Sequence, residues 1–224
     1  LKLNVQLCKQ DLLSSWESET MKAGANNRIA PEFNAFVMSY LAESIAASTE
    51  TNVWAGADAV GGQFEGFLTA STGAFAADGN VVAVAKTATL DAGNIVANLG
   101  ALVDAIPATV LGADDLVIFM NQKQYRFYIS AMSALGYIDR HNMSADYSPV
   151  FEGMNLVVVN GLPADNMVAA RKSNLFFGCD LMGDSAQLTT LDMASIDGSD
   201  NIRVICKYTA GTQIGIGSEI VHLS

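Results

Sequence analysis

The sequence predicts an α+β fold built in two lobes. Three observations predict it. A long amphipathic helix stands near the start, two wholly apolar strands flank a helix in the middle, and the last quarter reads almost entirely as strands. The chain has 224 residues, enough for one large domain or two small ones. Half of them are hydrophobic and 16% are charged, the composition of a chain with a packed core rather than a disordered one.

At the start, Leu1, Leu3, Val5 and Leu7 alternate with Lys2, Asn4 and Gln6, which is the period of a half-buried strand. The sequence opens inside that pattern without an initiator Met, and the expectation is a trimmed chain. Asp11 is placed to cap a short helix through Trp16, and residues 18–30 are polar and irregular. Pro31 stands where a first helical residue should. Phe33, Phe36, Val37, Tyr40, Leu41 and Ile45 follow at spacings of three and four, with Glu32, Asn34, Ser39, Glu43 and Ser48 on the other side. This predicts a helix to about Trp54, on the order of 30 Å long, a beam across a whole domain.

Composition then shifts to Gly and Ala over residues 55–80, read as loop, short element, loop, and as the boundary between lobes. Val81–Ala85 is a short strand. Asp91 is placed to cap a second helix with Ile95, Leu99, Leu102, Val103 and Ile106 as its buried stripe, ended by Pro107. Leu116–Met120 is an apolar strand, after which Asn121 caps a helix turning Tyr125, Tyr128, Ile129, Met132 and Leu135 inward until Gly136 stops it. Leu156–Asn160 is a second apolar strand, closed by Gly161 and Pro163. Strands apolar on both faces imply a sheet covered on both sides. The segments MVAAR, NLFFG, QLTTLDM and NIRVICKYT read as strands, and Asp197-Gly198 marks a turn that makes the last two an antiparallel hairpin.

The chemistry-bearing residues are few. The net charge is −11, so the chain has no general attraction for nucleic-acid phosphates, and no Lys/Arg run supplies a local one. No apolar run approaches the roughly 20 residues of a membrane span. Cys8, Cys179 and Cys206 are odd in number and widely spaced, which argues against a disulfide framework or zinc site and for three half-buried thiols. His141 and His222 lack partners at metal-ligand spacing. Gly56 to Gly62 carries no Lys and reads as a flexible linker, not a phosphate loop. Ser199-Asp200-Asn201 matches a triplet of penicillin-recognising serine enzymes, without the other two motifs of that set. The stretch from Asp197 to Asn201 lacks the spaced ligands of a calcium loop and reads as a polar turn. Asp114-Asp115 sits before a buried strand, where acidic turn residues are ordinary, and Arg171-Lys172 reads as a solvated pair between strands. No catalytic, cofactor-binding or metal residue is assigned, and no cofactor is expected.

The order of these pieces resembles the major capsid proteins of tailed bacteriophages, those with the Hong Kong 97-like fold. The residues carrying the resemblance are QLCKQDL with Trp16, the long segment PEFNAFVMSYLAESIAASTETNVWAG, the passage GGQFEGFLT, and the end NLFFGCDLMGD…LTTLDMASIDGSDNIRVICKYTAGTQIGIGSEIV. The resemblance implies a peripheral lobe, residues 1–55 and 181–207, holding the long spine helix and a small antiparallel sheet. It implies an axial lobe, residues 56–180 and 208–224, with a central mixed sheet flanked by helices. Family members carry an N-terminal arm and a long β-hairpin loop before this first strand, and some crosslink through Lys and Asn; no such pair is placed here.

The function implied is structural: a subunit of an icosahedral virus or prophage capsid. Its partners would be copies of itself in pentamers and hexamers, with scaffold, protease and portal proteins, and no specific nucleic-acid or membrane site. Its place would be the virion capsid, assembled in the bacterial host cytoplasm. The rival readings are an encapsulin-like compartment subunit and an α/β hydrolytic enzyme.

Overall fold

A computed structural model of the chain describes residues 2–8, 31–61, 63–69, 71–136, 149–179, 187–199 and 201–224. The helix expected after Asp11, the stretch 18–30 and His141 lie outside the described residues, as do the side chains of Phe33, Phe36, Val37, Tyr40 and Cys206.

Strand β1 (Lys2–Cys8) is followed by helix α1 (Pro31–Ala55), whose 25 residues make a rod of about 37 Å. Among its described side chains Leu41, Asn52 and Trp54 are buried, and Ile45 is half-buried. Trp54 packs its ring against Phe67 at 5.5 Å and against Phe119 at 5.4 Å, centroid to centroid, in tilted arrangements that suit aromatic quadrupoles.

The segment after Trp54 is not an open linker. The chain folds straight back on the helix end, with Gly66 N–H donating to Gly56 O, Phe67 N–H to Val53 O and Leu68 N–H to Trp54 O, at 2.8–2.9 Å. Gly66 is required there, because a Cβ would lie 2.6 Å from Asn52 O and 2.7 Å from the Trp54 carbonyl carbon. Thr69 Oγ1 also donates to Gly56 O. Glycine serves here for close backbone approach instead of flexibility.

Helix α2 (Ala74–Asp78) and β2 (Val82–Val84) follow, then α3 (Ile95–Asp104). Asp91 does not cap α3 directly. Its Oδ1 accepts from the backbone of Gly93 and Asn94, closing a turn, and Asn94 occupies the cap position. All five expected stripe residues are buried, four of them on α3 and Ile106 just past its end, each stabilising by roughly 1.5–3 kcal/mol on transfer from water. Strand β3 (Leu116–Met120) leads into α4 (Gln122–Ala134), where Asn121 and Gln124 form a reciprocal capping box. Tyr128 is buried and Tyr125, Ile129 and Met132 pack against the core, but Leu135 is 60% exposed, because it lies beyond the last helical turn. Gly136 stops the helix at φ 78°.

The strands that follow among the described residues are β4 (Val150–Phe151), β5 (Met154–Val158), β6 (Met167–Arg171), β7 (Leu175–Cys179), β8 (Gln187–Asp192), β9 (Asn201–Lys207), β10 (Ala210–Ile214) and β11 (Val221–Leu223). Among the described residues the strands form three sheets. The central one is mixed, in the order β2-β11-β6-β3-β5-β4, with β2/β11 and β3/β5 parallel and the other pairs antiparallel. A second, antiparallel sheet has the order β1-β9-β8, and it contains the expected hairpin. The third is a two-stranded ribbon of β7 and β10.

The central sheet is covered on both faces. Ile118 and Met120 of β3, Met167 and Ala169 of β6, and Val221 and Leu223 of β11 face α3 and α4 in one core. Val168, Ala170 and Ile220 face Trp54, Phe67, Phe75 and Leu162 in a second core. Alternation along each strand therefore feeds two hydrophobic layers, which is why these strands read as continuously apolar.

Candidate functional site

Asp115, His222 and Asp197 each make hydrogen bonds within the fold. Asp115 accepts from Arg171 Nε at 3.0 Å and from the Ser173 hydroxyl. These hydrogen bonds, that from Ser173 first and that from Arg171 next, hold its carboxyl down at about 2. A carboxylate held ionised by such partners is a poor proton acceptor near neutrality. Arg171 is not simply solvated, since it also lies 3.7 Å from Glu219, and its pairing with Asp115 raises its pKa. The sequence missed this because Asp115 and Arg171 meet only when β3 and β6 pair.

His222 sits on β11 with Nε2 2.9 Å from Asn166 Oδ1 and its ring 5.9 Å from that of Phe75. Burial first, and the nearby Lys86 second, push it down to about 4. It is a half-buried histidine whose ring nitrogen is paired with Asn166. The polar turn is a turn: Ser199 donates its N–H at 2.9 Å and its hydroxyl at 2.6 Å to Asp197 Oδ1, which lowers the Asp197 pKa. Cys8 is half-buried but Cys179 is exposed, because β7 stands in a ribbon too thin to cover it.

Among the described residues no group of His, Cys, Asp and Glu is disposed to hold a metal ion, and no described helix is long and apolar enough to cross a membrane. An open groove of about 860 Å³ follows α4 past Lys123, Tyr125, Arg126 and Phe127. A smaller one of about 200 Å³ lies beside Phe67, Phe75 and His222. In the smaller groove the Thr69 hydroxyl donates to Gly56 O and His222 Nε2 is bonded to Asn166 Oδ1.

What the molecule does display is surface that would suit contact. Phe176, Phe177 and Ile216 are 53%, 48% and 52% exposed, all in or next to the β7–β10 ribbon. The ribbon is rigidly mounted. The buried Asn174 side chain accepts from Gly215 N–H at 3.1 Å and Ile216 N–H at 2.7 Å and donates to Ile216 O at 2.7 Å. Thr212 Oγ1 donates to Glu65 O at 2.7 Å, and Phe64 stacks obliquely on Phe177 at 6.1 Å. Sequence reading identified NLFFG as a strand but had no means of seeing that its aromatics stay outside.

No family model matches the sequence, and no curated protein matches it. Solved structures do match, along the whole chain. The capsid of an empty GTA particle aligns with a TM-score of 0.59 at 15% identity, covering 100% of this chain and 71% of that one. The procapsid of satellite phage P4, which includes a size determination protein, aligns at 0.57 and 11%, covering 100% and 74%. The holo-SrpI encapsulin complex from Synechococcus elongatus aligns at 0.56 and 10%, covering 100% and 72%. At these identities the likeness is one of fold: the chain carries the Hong Kong 97-like capsid fold, α+β with a central mixed sheet.

Proposed function

We propose that the chain is a structural subunit of an icosahedral phage or prophage shell, working by assembly with copies of itself and not by catalysis. One observation carries this reading: all of the chain, not one lobe, aligns with chains of capsid and procapsid particles. The structural roles of Asp115, Arg171 and His222 support it over a hydrolytic enzyme. The net charge of −11 suits a container wall that does not hold packaged DNA tightly. Pentamers and hexamers of the chain would close the shell through interfaces whose rotation closes. Scaffold, protease and portal proteins would be its partners, with assembly in the host cytoplasm and residence in the virion.

The two-lobe division belongs to the same proposal, with residues 1–55 and 181–207 as the peripheral lobe and 56–180 and 208–224 as the axial lobe. Strand membership supports it: β1, β8 and β9 make one sheet, and β2 to β6 with β11 another.

The test is expression of the full gene product with any neighbouring scaffold or protease, followed by electron microscopy and sedimentation. Closed shells are expected, and chains that stay single under every assembly condition sink the proposal. The alignment with an encapsulin favours one second reading, a cargo-holding compartment. Genetic context separates the two: packaging and tail genes beside this one, or a cargo enzyme.

A further inference from the structure

We infer that the β7–β10 ribbon, centred on Phe176 and Phe177, is a contact surface for a second copy of this chain. The inference rests on the shell-subunit reading and names a place on the molecule where copies meet. Neighbouring residues of a strand point to opposite faces, so Phe176 and Phe177 leave a half-exposed ring on each face of the ribbon. Ile216, just past β10, adds a third exposed apolar side chain. Among the described residues the ribbon has two strands, so each has an edge without a described partner strand in its sheet. Exposed apolar side chains beside free strand edges mark a surface suited to being covered.

Charge selects the occupant. Two copies of net charge −11 repel each other, and contact through charged surface keeps that repulsion. Leu175–Cys179 and Ala210–Ile214 contain no Asp, Glu, Lys or Arg. The strands of the ribbon therefore bring no like charge of their own against an equally acidic copy. It is also held in shape beforehand. The Asn174 hydrogen bonds fix its base, and Phe176 lies over Gly215, where an added Cβ would be 3.3 Å from the ring. Little ordering remains to be done on contact.

Cys179, exposed at the end of β7, is the reporter. Full-length protein is treated with a maleimide before and after assembly, and modification of the Cys179 peptide is followed by mass spectrometry. Labelling about tenfold slower in the assembled state is expected, because an interface core excludes solvent. In parallel, Phe176→Ser/Phe177→Ser protein, checked for folding by circular dichroism, is expected to stay as small species in sedimentation. Equal Cys179 labelling in both states overturns the inference, whether or not the double variant folds. A folded double variant that assembles like the wild type also overturns it. Both results leave the shell-subunit reading standing, whereas wild-type chains that never assemble remove both.

Discussion

The Glu50 carboxylate accepts the backbone N–H of Gly161 at 3.2 Å, across 111 residues of sequence. It also accepts that of Asn160 at 2.9 Å, so the last turns of α1 hold the loop that follows β5. The approach is close because residue 161 has no side chain. A Cβ there would strike the Glu50 carbonyl oxygen and lie 2.9 Å from Thr51 N, and both are backbone atoms that cannot swing aside. Gly161→Ala is therefore expected to destabilise the fold by about 1–3 kcal/mol, the usual cost of overpacking. Urea denaturation measures it, and an unchanged midpoint would show that helix and loop can part freely.

His222 makes part of the stability depend on pH. Its ring titrates near 6.5 in the unfolded chain and near 4 in the folded one, where burial and then Lys86 disfavour the charge. Between those values the unfolded chain binds the extra proton. Stability from this group is therefore full above pH about 6.5 and declines as pH falls toward about 4, by at most about 3 kcal/mol. His222→Gln keeps a donor for Asn166 and removes the titration. The stability difference between wild type and variant should shift over that range, and a constant difference would refute the assignment.

Glu152 offers a gain instead of a loss. It and Gly153 turn the β4–β5 hairpin with φ of 47° and 84°, the left-handed pair of a type I′ turn. Glutamate is strained there, while asparagine tolerates that region. Glu152→Asn should raise stability by roughly 0.5–1 kcal/mol, visible as a higher melting temperature. A lower one would mean that the Glu152 side chain has a role of its own.

The same turn shows what the sequence left hidden. Asn121 and the spacing of Ile95, Leu99 and Leu102 are local signals, and local signals predicted their helices well. Glu-Gly is not a favoured turn pair, so β4 passed unseen. Strands β10 and β11 carry too little periodicity in five and three residues to stand out, and their identity comes from partners far away in sequence. The Gly/Ala passage after Trp54 looked loose because composition does not reveal that Gly66 lies against the backbone of Asn52 and Trp54. As for contact surface, the exposure of Phe176 and Phe177 depends on how few strands surround β7, which is a property of topology rather than of the residues themselves.

The position of β11 has a consequence for how the molecule is made. Residues 221–223 lie between β2 and β6, inside the central sheet, with Val221 opposite both Val82 and Ala169. Ribosomes deliver β2 long before β11, so the nascent chain must wait with an open gap where β11 belongs. Prematurely ended products keep that gap and cannot close the sheet. Reaching the finished shape is thereby tied to completed synthesis, since only a polypeptide synthesised through Leu223 can close the central sheet.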